Sequence, residues 1–221
     1  MLASIMTTHK IFKRCAAVTS SHNCSAERQY RTPIEYGGQR TPTSQWTVTG
    51  SGAFIIGDGD AGRVKIKAGM PGRVIEKGIN DANNMGAAMA PAAADSICRY
   101  FAATGESPES FDLVLTGDLG EVGSDILKDL LAAEGIDVSA VHNDCGKMIY
   151  RGIERPDVNS GGSGCGCAAS VMAAHILSRI QRGEIRRVLF LATGAMMSPS
   201  SIQQGLSIPA VAHALVLETP G

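Results

Sequence analysis

The 221-residue sequence is 44% hydrophobic and 19% charged, with a formal net charge of −1. That balance permits a buried core and argues against both an unfolded chain and the basic footprint of a nucleic-acid binder. Aromatic residues reach only 5% beside 26 glycines, so tight turns and close backbone approach are expected in place of a bulky aromatic core.

In chain order, residues 5–12 predict a helix, with Lys13 and Arg14 suited to its negative C-terminal end. Residues 15–19 predict a short buried strand that ends in the polar run Ser20-Ser21-His22. The stretch 28–46, rich in Arg, Thr, Pro and Gly, predicts a long loop, and such loops are often functional. Residues 48–56 read as a strand interrupted by Gly50 and Gly52, and Val64, Ile66 and Ala68 alternate with Lys65 and Lys67 as a strand with one wet face.

A Met- and Ala-rich helix is expected over 83–100, with Pro91 opening or kinking it and Gly105 ending it. The order then becomes regular. A strand over 111–116 is followed by a helix that Ser124 caps and Gly135 stops, then a strand over 136–142. A helix over 166–182 with the apolar face Met172, Ala173, Ile176, Leu177 and Ile180 leads to strands over 187–193 and 210–218. This β-α-β-α-β-β order predicts an α/β fold with a mixed sheet covered by helices. The first part supplies only one helix and two strands, too few for a sheet of its own.

Six cysteines in a chain of this length do not make a secreted disulfide scaffold and point to a non-oxidising compartment. Cys165-Gly166-Cys167 is too tight for a C-x2-C zinc knuckle, and no second Cys or His pair matches it. No run of about 20 apolar residues spans a membrane, and the first 14 residues lack the centre of a signal peptide.

Polar clusters stand where strands end, the usual place for α/β ligand sites. They are Ser20, Ser21 and His22; Thr116 with Asp118; His142 to Cys145, including Asp144; and the glycine-rich run before Cys165 and Cys167. Backbone N–H groups opening the last helix can face an anion, and a helix N-terminus lowers a thiol's pKa. The plainer reading of these thiols is small buried hydrophobes. Asp144 either orients a ligand or accepts N–H groups in a turn, and the nearness of His142 to Cys145 in sequence says little about a catalytic dyad, which geometry defines. His213 fits either a satisfied core position or a cleft. Arg28, Arg31, Arg40 and Lys147 are cations able to meet a carboxylate.

Several longer motifs occur together: Thr19 to Asn23 (TSSHN), 25–31 (SAERQYR), 35–39 (EYGGQ), 47–53 (TVTGSGA), 89–95 (MAPAAAD), 115–119 (LTGDL), 142–146 (HNDCG) and 161–165 (GGSGC). In this order they resemble the stage V sporulation protein AD family over essentially the whole chain. The resemblance implies a thiolase-like fold of two α/β halves with the first half incomplete. On that expectation residues 1–60 are the remnant of the N-terminal half, 61–221 form the C-terminal half, and Met1 is an internal start.

The segment that carries a thiolase nucleophile is then absent. Gly117 and Asp118 stand near the place of the synthases' histidine, Cys165 at the position of their Asn or the thiolases' His, and Ser207 near the thiolases' late cysteine. Without a base and an oxyanion donor, catalysis by Claisen chemistry is not expected.

The family implies a binder of dipicolinic acid with no cofactor, calcium entering only as part of the ligand; the contacts expected for it, taken from the polar clusters at the strand ends, are Ser20, Ser21, His22, Asp118, Asp144, Cys145 and Cys165. It also implies membrane partners from the same operon, peripheral attachment to the spore inner membrane or a cytoplasmic location, a homodimer and no nucleic acid. The rival readings are a thiolase- or ketoacyl-synthase-type acyltransferase and a non-functional fragment, whose open sheet edges would favour aggregation.

Overall fold

The computed structural model describes residues 1–23, 41–59, 62–153 and 158–220. The elements, in chain order, are α1 (Leu2–Thr8), β1 (Arg14–Ser21), β2 (Trp46–Thr47), β3 (Gly50–Gly57), β4 (Lys65–Met70), α2 (Met85–Thr104), β5 (Leu113–Thr116), α3 (Gly120–Ala133), β6 (His142–Asp144), α4 (Cys145–Ile149), β7 (Gly162–Ser163), α5 (Cys165–Val171), a π-helical turn (Met172–Ile176), α6 (Leu177–Gln181), β8 (Arg187–Ala195), α7 (Pro199–Gln203) and β9 (Ala210–Glu218).

Five strands form one mixed sheet in the order β4-β9-β8-β5-β6. β5 runs parallel to β6 and β8, while β9 is antiparallel to β8 and β4. Strand periodicity divides its side chains between two cores. Val114, Leu189, Leu191, Ala212 and Ala214 face one cluster, which includes Met89 and Ile97 of α2 and Leu127 and Leu131 of α3. Leu115, Val188, Phe190 and Leu217 face the other, with Cys167, Met172, Ile176 and Ile180. Each fully buried Leu or Ile contributes about 1.5–3 kcal/mol relative to exposure, so both faces anchor the sheet. The far side of α5 packs on β1 and β3, which pair antiparallel from Arg14↔Gly57 to Ser21↔Gly50. The layers are therefore α2 and α3, the sheet, the α5–α6 helix, and the β1–β3 ribbon.

Small residues set the tightest of these contacts. A Cβ on Gly86 of α2 would lie 2.5 Å from the Leu119 carbonyl and 2.8 Å from the Gly123 nitrogen, so α2 and α3 cross almost backbone to backbone. Pro91 lies inside α2 and does not open it; Asn84 caps the helix, its Oδ1 accepting from Ala87 N–H at 3.1 Å, and Gly105 ends it in the left-handed conformation.

Three expectations change. The first helix is Leu2–Thr8, earlier than 5–12. The strand expected over 136–142 is short, His142–Asp144, because Val138 and Val141 are used in a turn closed by Val141 N–H and His142 N–H on the Val138 carbonyl. Ser124 is not a cap: α3 begins four residues earlier, and Ser124 is fully buried inside it, its hydroxyl without a partner among the described residues. The cap that starts α3 comes from distant chain. Asp144 accepts from Leu119 and Gly120 N–H at 2.8 and 2.9 Å, and Ser160 accepts from Glu121 N–H through its carbonyl and from Val122 N–H through its hydroxyl.

Candidate functional site

The C-terminal ends of the parallel strands β5, β6 and β8 converge, and a cavity of about 340 Å³ opens beside the ends of β5 and β8, where α/β folds place ligands. Asp118 follows β5 by two residues, Thr193 stands near the end of β8, Gly164 and Cys165 open α5, and Met85 and Met89 form an apolar wall from α2. Ser21, at the end of β1, lines the opposite side.

Asp118 ties these elements together. Its Oδ1 accepts from the Thr193 hydroxyl at 2.8 Å and its Oδ2 from Gly164 N–H at 2.8 Å, while its own N–H donates to Thr193 Oγ1 at 3.0 Å. Gln45 donates from Nε2 to the Asp118 carbonyl at 2.8 Å and the Gly162 carbonyl at 2.9 Å. Ser21 donates to the Val48 carbonyl at 2.6 Å and accepts from Gly166 N–H at 3.0 Å. Only glycine fits where α5 meets β1: Gly164 has φ +96°, and a Cβ on Gly166 would lie 2.4 Å from both the Gly50 carbonyl and Ser21 Oγ.

Of the seven residues expected to contact a ligand, Ser21, Asp118 and Cys165 line this cavity. Ser20 and His22 are exposed and do not line it. Asp144 and Cys145 are fully buried behind it, so neither touches a cavity ligand in this conformation. The cause for Asp144 is capping: besides Leu119 and Gly120 it accepts from Lys147 N–H at 3.3 Å as N-cap of α4, and from the Thr116 hydroxyl at 2.6 Å. Arg28, Arg31 and Arg40 lie outside the described residues, and Lys147 pairs with Glu121 at 2.8 Å. His213 is exposed, its Nδ1 accepting from Gly72 N–H at 3.0 Å, and His175 is exposed on α5's continuation.

The thiols separate by burial. Cys145 and Cys167 are fully buried, and burial pushes both thiols up, against the lowering expected of Cys167 at a helix start. Cys165 is exposed and donates from Sγ to the Ser20 carbonyl at 3.0 Å.

A second polar group lies behind the cavity. Burial pushes the Asp144 carboxyl up to about 6, helped by the Asp118 charge, against the pull of Thr116, Leu119 and Gly120. Burial, with the Lys128 and Lys147 charges, holds His142 down at about 4. The single Thr116 proton goes to Asp144, so the 3.1 Å contact with His142 is donated by Nε2–H. Nδ1 is then a bare, buried lone pair with no partner among the described residues.

Sequence reasoning missed Gln45, Ser160 and Thr193. Gln45 and Ser160 carry no local signal, whereas Thr193, a polar residue near the end of an apolar strand as Thr116 is, could have been singled out by the same rule.

The chain has the fold of the condensing enzymes of the 3-oxoacyl synthase III type, a thiolase-like architecture. It is similar to AbyA1, a tetronic acid condensing enzyme (14% identity, TM-score 0.56, 97% of this chain and 64% of that one). It is also similar to the 3-oxoacyl-(acyl carrier protein) synthase III of Pseudomonas aeruginosa PAO1 (13%, 0.54, 100% and 63%) and that of Aquifex aeolicus VF5 (14%, 0.52, 98% and 61%). At these identities the likeness shows the fold alone. The family described as Stage V sporulation protein AD (SpoVAD) matches residues 1–218, and the Bacillus subtilis (strain 168) stage V sporulation protein AD is 46% identical over 222 residues, covering all of this chain. The chain belongs to the stage V sporulation protein AD family. It spans 64% of the length of that curated relative. Among the described residues, no helix is long and apolar enough to cross a membrane.

Proposed function

We propose that this chain is a non-catalytic binding protein of sporulation that holds dipicolinic acid, as its calcium chelate, in the cavity between Asp118, Cys165 and the Met85–Met89 wall. The observation that carries the reading is the cavity's chemistry. Its volume suits a small ligand. Three methionines, Met85, Met89 and Met197, offer polarizable sulfur to a flat aromatic ring. Apart from the Cys165 thiol, Asp118 is the one ionisable group among its described lining residues. A free dicarboxylate would meet that carboxylate without a compensating cation, whereas a chelate whose calcium cancels its charge would not. In the cell the chain would support movement of dipicolinate into and out of the spore with membrane proteins of the same operon, peripherally at the spore inner membrane. No cofactor enters this reading.

The second reading, an acyltransferase, draws on the condensing-enzyme fold and on Cys165, an exposed thiol in the cavity. What weighs against it is the surroundings of that thiol: no histidine lines the cavity among the described residues, and His142, held at about 4, sits behind it.

Thermal melting with calcium dipicolinate, dipicolinate plus a calcium chelator, and calcium alone tests the first reading. Ligand held only by the folded chain raises its stability, by about 2.7 kcal/mol at 100 times Kd. The chelate should raise the melting temperature most, and Asp118→Asn should shift preference toward free dipicolinate. A cooperative melt unmoved by the chelate overturns the reading. Incubation with an acyl-CoA followed by mass spectrometry tests the second, which requires an acyl adduct on Cys165 with release of free CoA.

A further inference from the structure

Asp144 makes no contact with the cavity, yet it organises the segment that does. The chain around Asp118 is curled about the Asp144 carboxylate. Two residues before Asp118, the Thr116 hydroxyl donates to Oδ2 at 2.6 Å; one and two residues after it, Leu119 and Gly120 N–H donate to Oδ2 and Oδ1 at 2.8 and 2.9 Å. Thus Asp118 is bracketed by three groups bound to one buried carboxylate, and its side chain is sent outward to Gly164 N–H and the Thr193 hydroxyl. The same carboxylate takes Lys147 N–H at the start of α4.

We propose that Asp144 is a positioning residue for the cavity: its carboxylate, gripping Thr116, Leu119 and Gly120 together, fixes the 116–120 turn that sets the Asp118 side chain against α5 and β8. The inference rests on the reading of the cavity as the ligand site, but the turn geometry stands independently of it.

A carboxylate accepts four donors through two oxygens, whereas a protonated acid or an amide turns one of those acceptors into a donor and leaves a buried N–H or O–H opposed. The turn should therefore respond to the charge on Asp144. The groups that face it are Thr116 on β5, His142 beside it on β6, Cys145 and Lys147 on α4, Cys167 on α5 and Asp118 in the turn itself. Lys128 and Asp125 of α3 act on the neighbouring His142, and Glu121 neutralises Lys147. Burial, helped by the Asp118 charge, pushes the Asp144 carboxyl up to about 6, which places its response within the mildly acid range.

Amide 15N NMR on the full chain tests the proposal without ligand. On acidification the Leu119, Gly120 and Gly164 resonances should move together with one midpoint, since Gly164 N–H reports the Asp118 side chain. Asp144→Asn should abolish that shared transition, displace Gly164 at neutral pH, and weaken calcium dipicolinate binding about tenfold with Asp118 itself intact. Gly164 titrating apart from Leu119 and Gly120, or unchanged in Asp144→Asn, overturns the proposal.

Should Asp144→Asn fail to fold, Thr116→Val keeps the carboxylate and the shape while removing one donor. It should then raise the midpoint of the shared transition, and an unmoved midpoint refutes the proposal. Coupled amides in a wild-type chain that does not bind the chelate would sink the dipicolinate reading and leave the positioning role standing.

Discussion

Replacing His142 with Gln offers a direct measure of the polar group behind the cavity. Its Nε2–H donates to Thr116, and its Nδ1 has no partner among the described residues. Charging the ring would therefore bury an N–H with no acceptor, close to Lys128 and Lys147. A pKa lowered from 6.5 to about 4 makes the neutral ring a stabilising feature worth about 3 kcal/mol, at about 1.36 kcal/mol per pH unit. The folded chain binds fewer protons than the unfolded one between these values. The contribution is thus present above pH 6.5 and drains away as pH falls toward 4.

Asp144 acts with the opposite sign. Raised from 3.8 to about 6, it stabilises the folded chain progressively as pH falls from 6 to 3.8, by a similar amount of about 3 kcal/mol. The two contributions nearly cancel in the wild type. His142→Gln keeps an amide donor for Thr116 and removes one titration, so the variant should gain about 2 kcal/mol relative to wild type between about pH 7.5 and 4.5. Urea unfolding of both proteins at matched pH values reads this difference directly. A variant-minus-wild-type difference that stays constant across that range would refute the assignment of His142 as a buried neutral ring.

Two further predictions concern the α5 start. Gly166→Ala drives a Cβ into the Gly50 carbonyl and Ser21 Oγ, so a loss of about 1–3 kcal/mol and a melting temperature lower by about 2–12 °C are expected. Gly194→Ala, in open space on β8, serves as the near-neutral control in the same melts. Iodoacetamide mapping of the native chain should modify Cys165 well before Cys145 and Cys167, which become reactive only on unfolding. Equal labelling of all three without denaturant would contradict the burial that separates them.

Much of the fold was legible because periodicity is a local property. The apolar runs at β5, β8 and β9 and the 3.6-residue face of Met172, Ile176 and Ile180 need no partner to be seen. Asn84 and Gly105 likewise bound α2 by chemistry within a few residues. The start of α3 was misjudged because Ser124 has the right residue type for a cap, while the groups that cap the helix, Asp144 and Ser160, lie 24 and 38 residues from the amides they hold. The site divides in the same way. Ser21, Asp118 and Cys165 were visible as polar residues at element ends, and Gln45, which joins Asp118 to Gly162 across the chain, was not.

By itself, then, the sequence determined the alternating strands and helices, the glycine-rich entry to α5 and membership of the stage V sporulation protein AD family. These follow from patterns carried along the backbone. Only the tertiary structure decided which polar residues reach the cavity. Asp118 and Asp144 are both carboxylates at the C-terminal ends of short strands, yet one is turned toward Thr193 and Gly164 and the other is sealed behind it. The difference arises from the hydrogen-bond donors that packing brings to each, and no run of neighbouring residues encodes it.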